Sequence, residues 1–411
     1  MSGRYIPKPV FAPGNTWYKG STAKTAITKM TLMDKYTPTG KETESWYGDV
    51  DNVGNIKCYV VGTELIIAGN GKGKLWANED SQQMFSGGNV TDNIFSACTT
   101  IANLTMLDTS NVINMNFMFG ASTSVSDSSM AYTYIDMSAF DTSNVTTMGG
   151  MFQHCKSLTT ISLSHFNMSK CEDIGSMFAN CTGLKSVYLQ WNDTHSLSNM
   201  QGLFSLCSSL TTISGMDMWN TSNVVDMGGA FNNCKALTSV NVSNFNTAKV
   251  TDMHQMFYSC SSLTALDLSS FDVSGVTTTQ LMFGQCTALV TISGTRSWKT
   301  SALTDMKWMF YQCPALTSID CANFDTSNIT DDKMNNWTYG CYRLKEITLG
   351  QNFKFTSDTK SYIIAPSSTY ITGATGGWYS AGTTSPKYTP AQIAGLTRTI
   401  PVKYVAVPGA V

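Results

Sequence analysis

The sequence predicts an α/β repeat solenoid of leucine-rich-repeat type, each coil of about 26 residues holding a short parallel strand and a short helix. Three observations predict it. Cysteines recur at Cys155, Cys181, Cys207, Cys234, Cys260, Cys286, Cys313 and Cys341, spaced by 26, 26, 27, 26, 26, 27 and 28 residues. A hydrophobic residue stands four positions before each cysteine and a leucine three positions after it, from Leu158 to Leu344. Aromatic residues repeat with them at Phe140, Phe166, Trp191, Trp219, Phe245, Phe271, Trp298 and Phe324. Such a period marks one supersecondary unit stacked many times, each coil burying its apolar side against its neighbours.

Residues 140–165 show one coil. Ile161 and Leu163 alternate with Thr160 and Ser162, which reads as a strand with the aliphatic pair inward and the hydroxyls outward. Val145, Met148, Met151, Phe152 and Cys155 fall on one helical stripe. Ser143 or Asn144 is placed to cap its first turn, while Gly149 and Gly150 limit the helix to one to three turns. Stacked strands form a parallel sheet. About nine to ten coils fill residues 101–349, the first a degenerate one around Leu104–Phe119, with a serine-rich insertion at 120–131. Met84-Phe85 is a weak match to a still earlier coil.

The flanks differ in character. Residues 1–45, with Pro7, Pro9 and Pro13, read as an N-terminal arm or attachment segment. Residues 46–100 carry two strand-like runs, Lys57 to Val61 and Glu64 to Ala68, joined by Gly62-Thr63 as a hairpin that caps the array. Residues 350–411 are rich in Gly, Ser, Thr and Tyr and read as a C-terminal cap or small β module.

Composition narrows function. Of 411 residues 13% are charged and the net charge is −2, which gives no basic surface for nucleic acid. No apolar run reaches the 18 residues or so that a membrane span needs. No apolar segment of signal-peptide length follows the opening Met-Ser-Gly-Arg-Tyr-Ile-Pro-Lys-Pro, so the twelve cysteines are expected as reduced thiols.

No catalytic motif is present, no cofactor is implied, and an enzyme is not expected. The cysteine ladder is expected to pack rather than form disulfides or hold metal. Stacked Cβ vectors run parallel, and a tetrahedral site needs convergent ligands. His154, His165, His195 and His254 have no cluster spacing. The Asp-Thr-Ser-Asn turns at Asp108, Asp141 and Asp325 invite a calcium reading. The replacement of Asp by Asn167, Asn192, Asn220, Asn246 and Lys299 favours Asx turns and capping instead.

The outward strand positions remain as a surface. They form the column Ser162, Tyr188, Ser214, Asn241, Asp267, Ser293, Asp320 and Thr348. One reading is a solvated sheet of small polar groups. The other is a ledge for a glycan or a protein edge, with Tyr188, Gln190, Trp191, Asn241, Asp267 and Asp320 as the binding residues.

The string FDTSNVTTMGGMFQHCKSLTTISLSHF, repeated over residues 104–349, resembles the BspA-type leucine-rich repeat of bacterial surface proteins. Residues 57–85 are similar to the lead-in strand pair of repeat proteins of intestinal bacteria and their phages. Residues 376–395 resemble the short module that follows such arrays. The resemblance implies a right-handed solenoid used for adhesion to a host or receptor surface, with no enzymatic activity. With no leader or wall anchor visible, it implies a phage virion-surface or receptor-binding component that contacts a bacterial surface receptor, protein or glycan. The N-terminal segment would join it to other virion proteins. The alternatives are a structural virion spacer or a bacterial surface adhesin. A homo-oligomer stays open, since no coiled-coil heptad enforces one.

Overall fold

The computed structural model describes residues 9–51, 54–86, 94–121, 129–356 and 359–411; the opening eight residues and most of the serine-rich insertion lie outside the described residues. The chain divides into two compact units, Met1–Leu197 with Thr212–Met218, and Ser198–Thr211 with Trp219–Val411.

In the first unit the early strands are β1 (Lys29–Met33), β2 (Glu44–Tyr47), β3 (Lys57–Val61), β4 (Glu64–Ala68), β5 (Leu75–Trp76), β6 (Thr100–Ala102) and β7 (Leu107–Asp108). Five of them form one sheet in the order β2-β3-β4-β1-β6. The hairpin β3–β4 has the bounds its sequence predicts. The segment read as an arm does not stay apart. β1 pairs in parallel with both β4 and β6, because Met30 and Leu32 alternate into the core with no exposed surface. Trp17, equally buried, donates its indole N–H to the Met84 carbonyl at 3.0 Å.

Coils follow as layers. β5 pairs with β7, and parallel bridges link Asp80, Asn114, Thr147 and Asp173 in turn. Met84-Phe85 does belong to an earlier coil: the Phe85 ring stacks on Phe119 at 5.4 Å. Strands β8 (Thr160–Ser162), β9 (Ser186–Tyr188) and β10 (Thr212–Ser214) then form a parallel sheet.

The helix expected over Val145–Cys155 is absent. Its apolar stripe is buried as predicted, but the backbone alternates between two kinds of bond. The N–H groups of Met151, Gln153 and Cys155 close tight turns onto Met148, Gly150 and Phe152. Those of Met148, Gly150, Phe152 and His154 cross to Asp173, Gly175, Met177 and Ala179 of the next coil. Gly150 and His154 take φ of 61° and 64°, as the third residue of a type II turn does. The same pair of left-handed positions recurs at 176/180, 202/206, 229/233, 255/259, 281/285, 308/312 and 336/340. A chain that sends alternate N–H groups to its neighbour cannot also close i→i−4 bonds. Among the described residues the α-helix is a single six-residue segment outside the repeats, α1 (Pro390–Gly395), with a Thr389–Gln392 capping box.

The second unit continues with β11 (Ala265–Asp267), β12 (Thr291–Ser293), β13 (Ser318–Cys321), β14 (Glu346–Leu349), β15 (Tyr379–Ser380) and β16 (Val402–Val405). Its sheets are interrupted rather than continuous: β11 pairs with β12, β13 with β14, and residues 239–241 carry no strand. What stacks without interruption is the core. Phe204, Phe231, Phe257, Phe283 and Phe310 form a ladder of nearly parallel rings 5.3–6.0 Å apart. The C-terminal module joins by an antiparallel strand, β16 on β14. Buried Arg398 bonds there to the carbonyls of Gly350, Phe353 and Ile393.

The Asp-Thr-Ser-Asn motif forms the expected Asx turns; the Asp141 carboxylate accepts from the Ser143 N–H at 2.9 Å. Its threonine has a second use. Thr221 Oγ1 donates to the Asn246 carbonyl at 3.0 Å and accepts from the Asn246 N–H at 2.8 Å, which staples two coils. Thr142 with Asn167 and Thr300 with Asp325 repeat the staple. Val273 stands at this position in one coil and lacks the hydroxyl. Thr221→Val is therefore expected to cost about 1–2 kcal/mol, and Val273→Thr to recover part of that elsewhere. Urea unfolding of both variants checks it; equal midpoints would show that water replaces the hydroxyl at no cost.

Candidate functional site: strand ledge and turn-side cleft

The predicted ledge is only partly available. Tyr188 is 42% exposed and Gln190 is exposed as well, both in the first unit. Trp191 is a correction. It is fully buried and donates its indole N–H to the Leu163 carbonyl at 2.9 Å, so it is a corner post of its coil rather than part of an exposed ledge. In the second unit Asn241 Oδ1 accepts from the N–H and hydroxyl of Ser243. Asp267 Oδ1 accepts from the hydroxyls of Ser269 and Ser293 at 2.6 and 2.9 Å, and the Ser269 hydroxyl bond is the main cause of its lowered pKa. Asp320 accepts from the Ala322 N–H and meets Arg296 at 3.1 Å. These side chains hold their own turns and neighbours. The six predicted residues divide between the two units.

The cysteine ladder is buried and reduced in every member. Seven of the thiols point at a phenylalanine carbonyl of the preceding coil: Cys181 at Phe152, Cys260 at Phe231 and Cys286 at Phe257 (3.0 Å each), Cys313 at Phe283 (2.9 Å), Cys341 at Phe310 (3.1 Å), Cys234 at Phe204 (3.2 Å) and Cys155 at Phe119 (3.6 Å). The carbonyls of Phe152, Phe204, Phe231, Phe257 and Phe283 already take a turn N–H, so there the sulfur uses the second lone pair. Burial pushes the thiols of Cys181, Cys260 and Cys313 up to about 12. Since the thiolate is the reactive form, native protein is expected to resist a disulfide reagent at all ladder positions and to react fully only when unfolded. Rapid native labelling of a ladder cysteine, located by mass spectrometry, would contradict this packing.

The histidines act locally. His154 meets Asn180 at 2.9 Å, His195 meets Asp193 at 2.6 Å, and His254 meets Asp252 at 2.7 Å, a contact that raises the His254 pKa. Among the described residues no three His, Cys, Asp or Glu side chains converge as a metal site would require.

A different surface stands out on the turn side of the second unit. Tyr258, Leu281, Trp308, Tyr311, Asn336 and Tyr339 line an open cleft of about 490 Å³. All six lie two or five residues before a ladder cysteine, in consecutive coils, so the stacking itself brings them together. Tyr311 and Tyr339 stack at 5.7 Å, and Trp308 meets Tyr311 edge to face at 6.5 Å. Between Tyr258 and Tyr311 the equivalent position is Gly284. A Cβ there would lie 2.8 Å from Leu281 Cδ2 and 3.1 Å from Tyr258 Cδ2, so the glycine lets these two lining side chains close over it.

The left-handed turn position, held by non-glycine residues in several coils (Phe117, Ser176 and Gln255 among them), is filled here by two bulky side chains. Leu281 and Trp308 take φ of 56° and 58°, at the left-handed position that Gly202 and Gly229 occupy in this unit. A bulky residue there costs on the order of 1–3 kcal/mol. The strand columns do not lead to this cleft. The signal was present in the column two residues before each cysteine, which runs Asn232, Tyr258, Gly284, Tyr311, Tyr339.

The model of a protein family described as "Mycoplasma protein of unknown function, DUF285" matches residues 89–213, 198–293 and 291–348. Two solved structures are also similar. One is a leucine rich cell surface protein from Faecalibacterium prausnitzii A2-165, 19% identical, with 53% of this chain and 45% of that one covered and a TM-score of 0.27. This chain thus spans less than half the length of that protein. The other is a leucine-rich repeat protein from Bacteroides ovatus ATCC 8483, 15% identical, covering 67% and 78% of the two chains with a TM-score of 0.26. No curated protein matches the chain.

Proposed function

The chain belongs to the BspA-like DUF285 family, and from that premise we propose that it is a non-enzymatic recognition protein which engages a bacterial surface receptor through the turn-side cleft of its second unit. Its setting in this reading is the surface of a phage virion, with the bacterial cell surface as the alternative. One observation carries the choice of surface: Trp308, Tyr311 and Tyr339 bring three aromatic rings in successive contact to an open cleft. The strand ledge offers less, since Asp267, Asp320 and Asn241 are committed to local bonds.

Trp308→Gly tests the proposal without threatening the fold, because glycine suits the native φ. The variant is expected to melt at or above the wild-type temperature and to lose binding to intact gut bacteria that the wild type decorates. Tyr188→Ala, on the ledge, is expected to bind like wild type. Undiminished binding by Trp308→Gly would overturn the cleft; loss in Tyr188→Ala alone would return recognition to the ledge.

A further inference from the structure

Resting on that reading, we infer that the ligand of the cleft is a neutral glycan, with a pyranose ring packed against the rings of Tyr311 and Trp308. Three features point to this chemistry. The first is ring presentation. Tyr311 lies with one face on Tyr339 and itself lines the cleft, while Lys307 Nζ sits 4.6 Å over the Trp308 ring and holds it in place. Sugar rings present axial C–H groups that pack on the electron-rich face of an aromatic ring, an arrangement akin to edge-on contact between aromatics.

The second is the polar complement. Asn336 lines the same cleft and offers both a donor and an acceptor, and the tyrosines bring phenolic hydroxyls, groups that match vicinal sugar hydroxyls. A purely apolar partner would leave these groups unmatched. A few polar groups among aromatics, in a cleft of this size, are the usual make-up of a small-ligand site.

The third is charge. Lys307 pairs with Asp332 at 2.6 Å, and Lys333 pairs with Asp305 at 3.1 Å. The residues that line the cleft are uncharged, and the ammonium beside Trp308 is already paired with Asp332. An acidic sugar or a charged peptide would have to compete for it.

The test uses the full chain. An array of neutral and uronic-acid oligosaccharides is followed by calorimetric titration of the best neutral trisaccharide, with maltotriose, cellotriose and chitotriose as the first probes. Wild type, Tyr311→Ala and Trp308→Gly are compared, and binding to intact cells is measured in parallel. The inference expects a neutral oligosaccharide to bind with little dependence on salt and to weaken about tenfold or more in both variants. Cell binding that is lost in the variants while no oligosaccharide binds would overturn the glycan and leave the cleft as a protein-binding site. Salt-dependent binding confined to uronic-acid chains would overturn its neutrality. Cell binding unchanged in both variants would remove the recognition reading itself, and the glycan with it.

Discussion

Phe257→Ala is expected to destabilise the protein by about 3–5 kcal/mol, as a buried phenylalanine truncated in a packed core does. Phe257 has no exposed surface and lies between Phe231 at 5.4 Å and Phe283 at 6.0 Å, with interplanar angles of 2° and 3°. Truncation removes both stacking contacts and leaves a void between the two flanking rings. It also loosens the carbonyl that receives the Cys286 thiol. In an array where each coil touches only its neighbours, a weak layer also divides the cooperative unit. Urea unfolding is therefore expected to change from one transition to two. A single transition shifted by less than about 1 kcal/mol would mean that the ring ladder follows the fold without holding it together.

Much of this architecture was legible in the sequence. The register of cysteine, leucine and aromatic residues located every coil from Phe140 to Leu344. The alternation at Thr160–Leu163 and its copies told inward from outward: Ile161 and Leu163 are buried, Thr160 and Ser162 exposed. The hairpin at 57–68 was legible because a two-residue turn fixes register locally. The helix was misread for a physical reason. Tight turns at every second residue, alternating with bonds to the next layer, bury positions i, i+3, i+4 and i+7 just as a helix does. Periodicity cannot separate the two, although Gly149-Gly150 and the asparagines at 180 and 233 were hints of left-handed backbone. The parallel pairing of β1 escaped because it joins residues 29–33 to strands far along the chain, which local pattern does not encode. Trp191 was misjudged because position beside an exposed column says nothing about a side chain that turns the corner into the core. The cleft is harder to read: its aromatics do recur in the column two residues before each cysteine, but a turn position does not tell by period whether its side chain faces solvent.

Gly294→Ala is expected to be the costliest small substitution in the second unit. Two of the longer coils, those with 27-residue spacing, carry Ser-Gly directly after the strand, at Gly215 and Gly294. In both the extra residue is absorbed by a 3-10 turn, Met216–Met218 and Thr295–Ser297. Gly294 starts its turn with φ of 91°, and its carbonyl accepts from the N–H and hydroxyl of Ser297. A Cβ at this position would lie 2.4 Å from the Ser269 nitrogen and 2.5 Å from the Leu268 carbonyl carbon, both backbone atoms of the preceding coil. Left-handed strain costs on the order of 1–3 kcal/mol, and forcing two layers apart costs a similar amount, so a loss of about 2–6 kcal/mol follows. Gly275 supplies the control within the same unit. Its φ is not in the left-handed region, and a Cβ there would meet nothing closer than the Val250 carbonyl oxygen at 3.5 Å. Gly275→Ala should change stability by less than about 1 kcal/mol. If denaturant midpoints of the two variants coincide, the backbone contact between layers is softer than its geometry implies. If they separate as expected, the glycine after the strand is what lets a 27-residue coil lie flush on a 26-residue one.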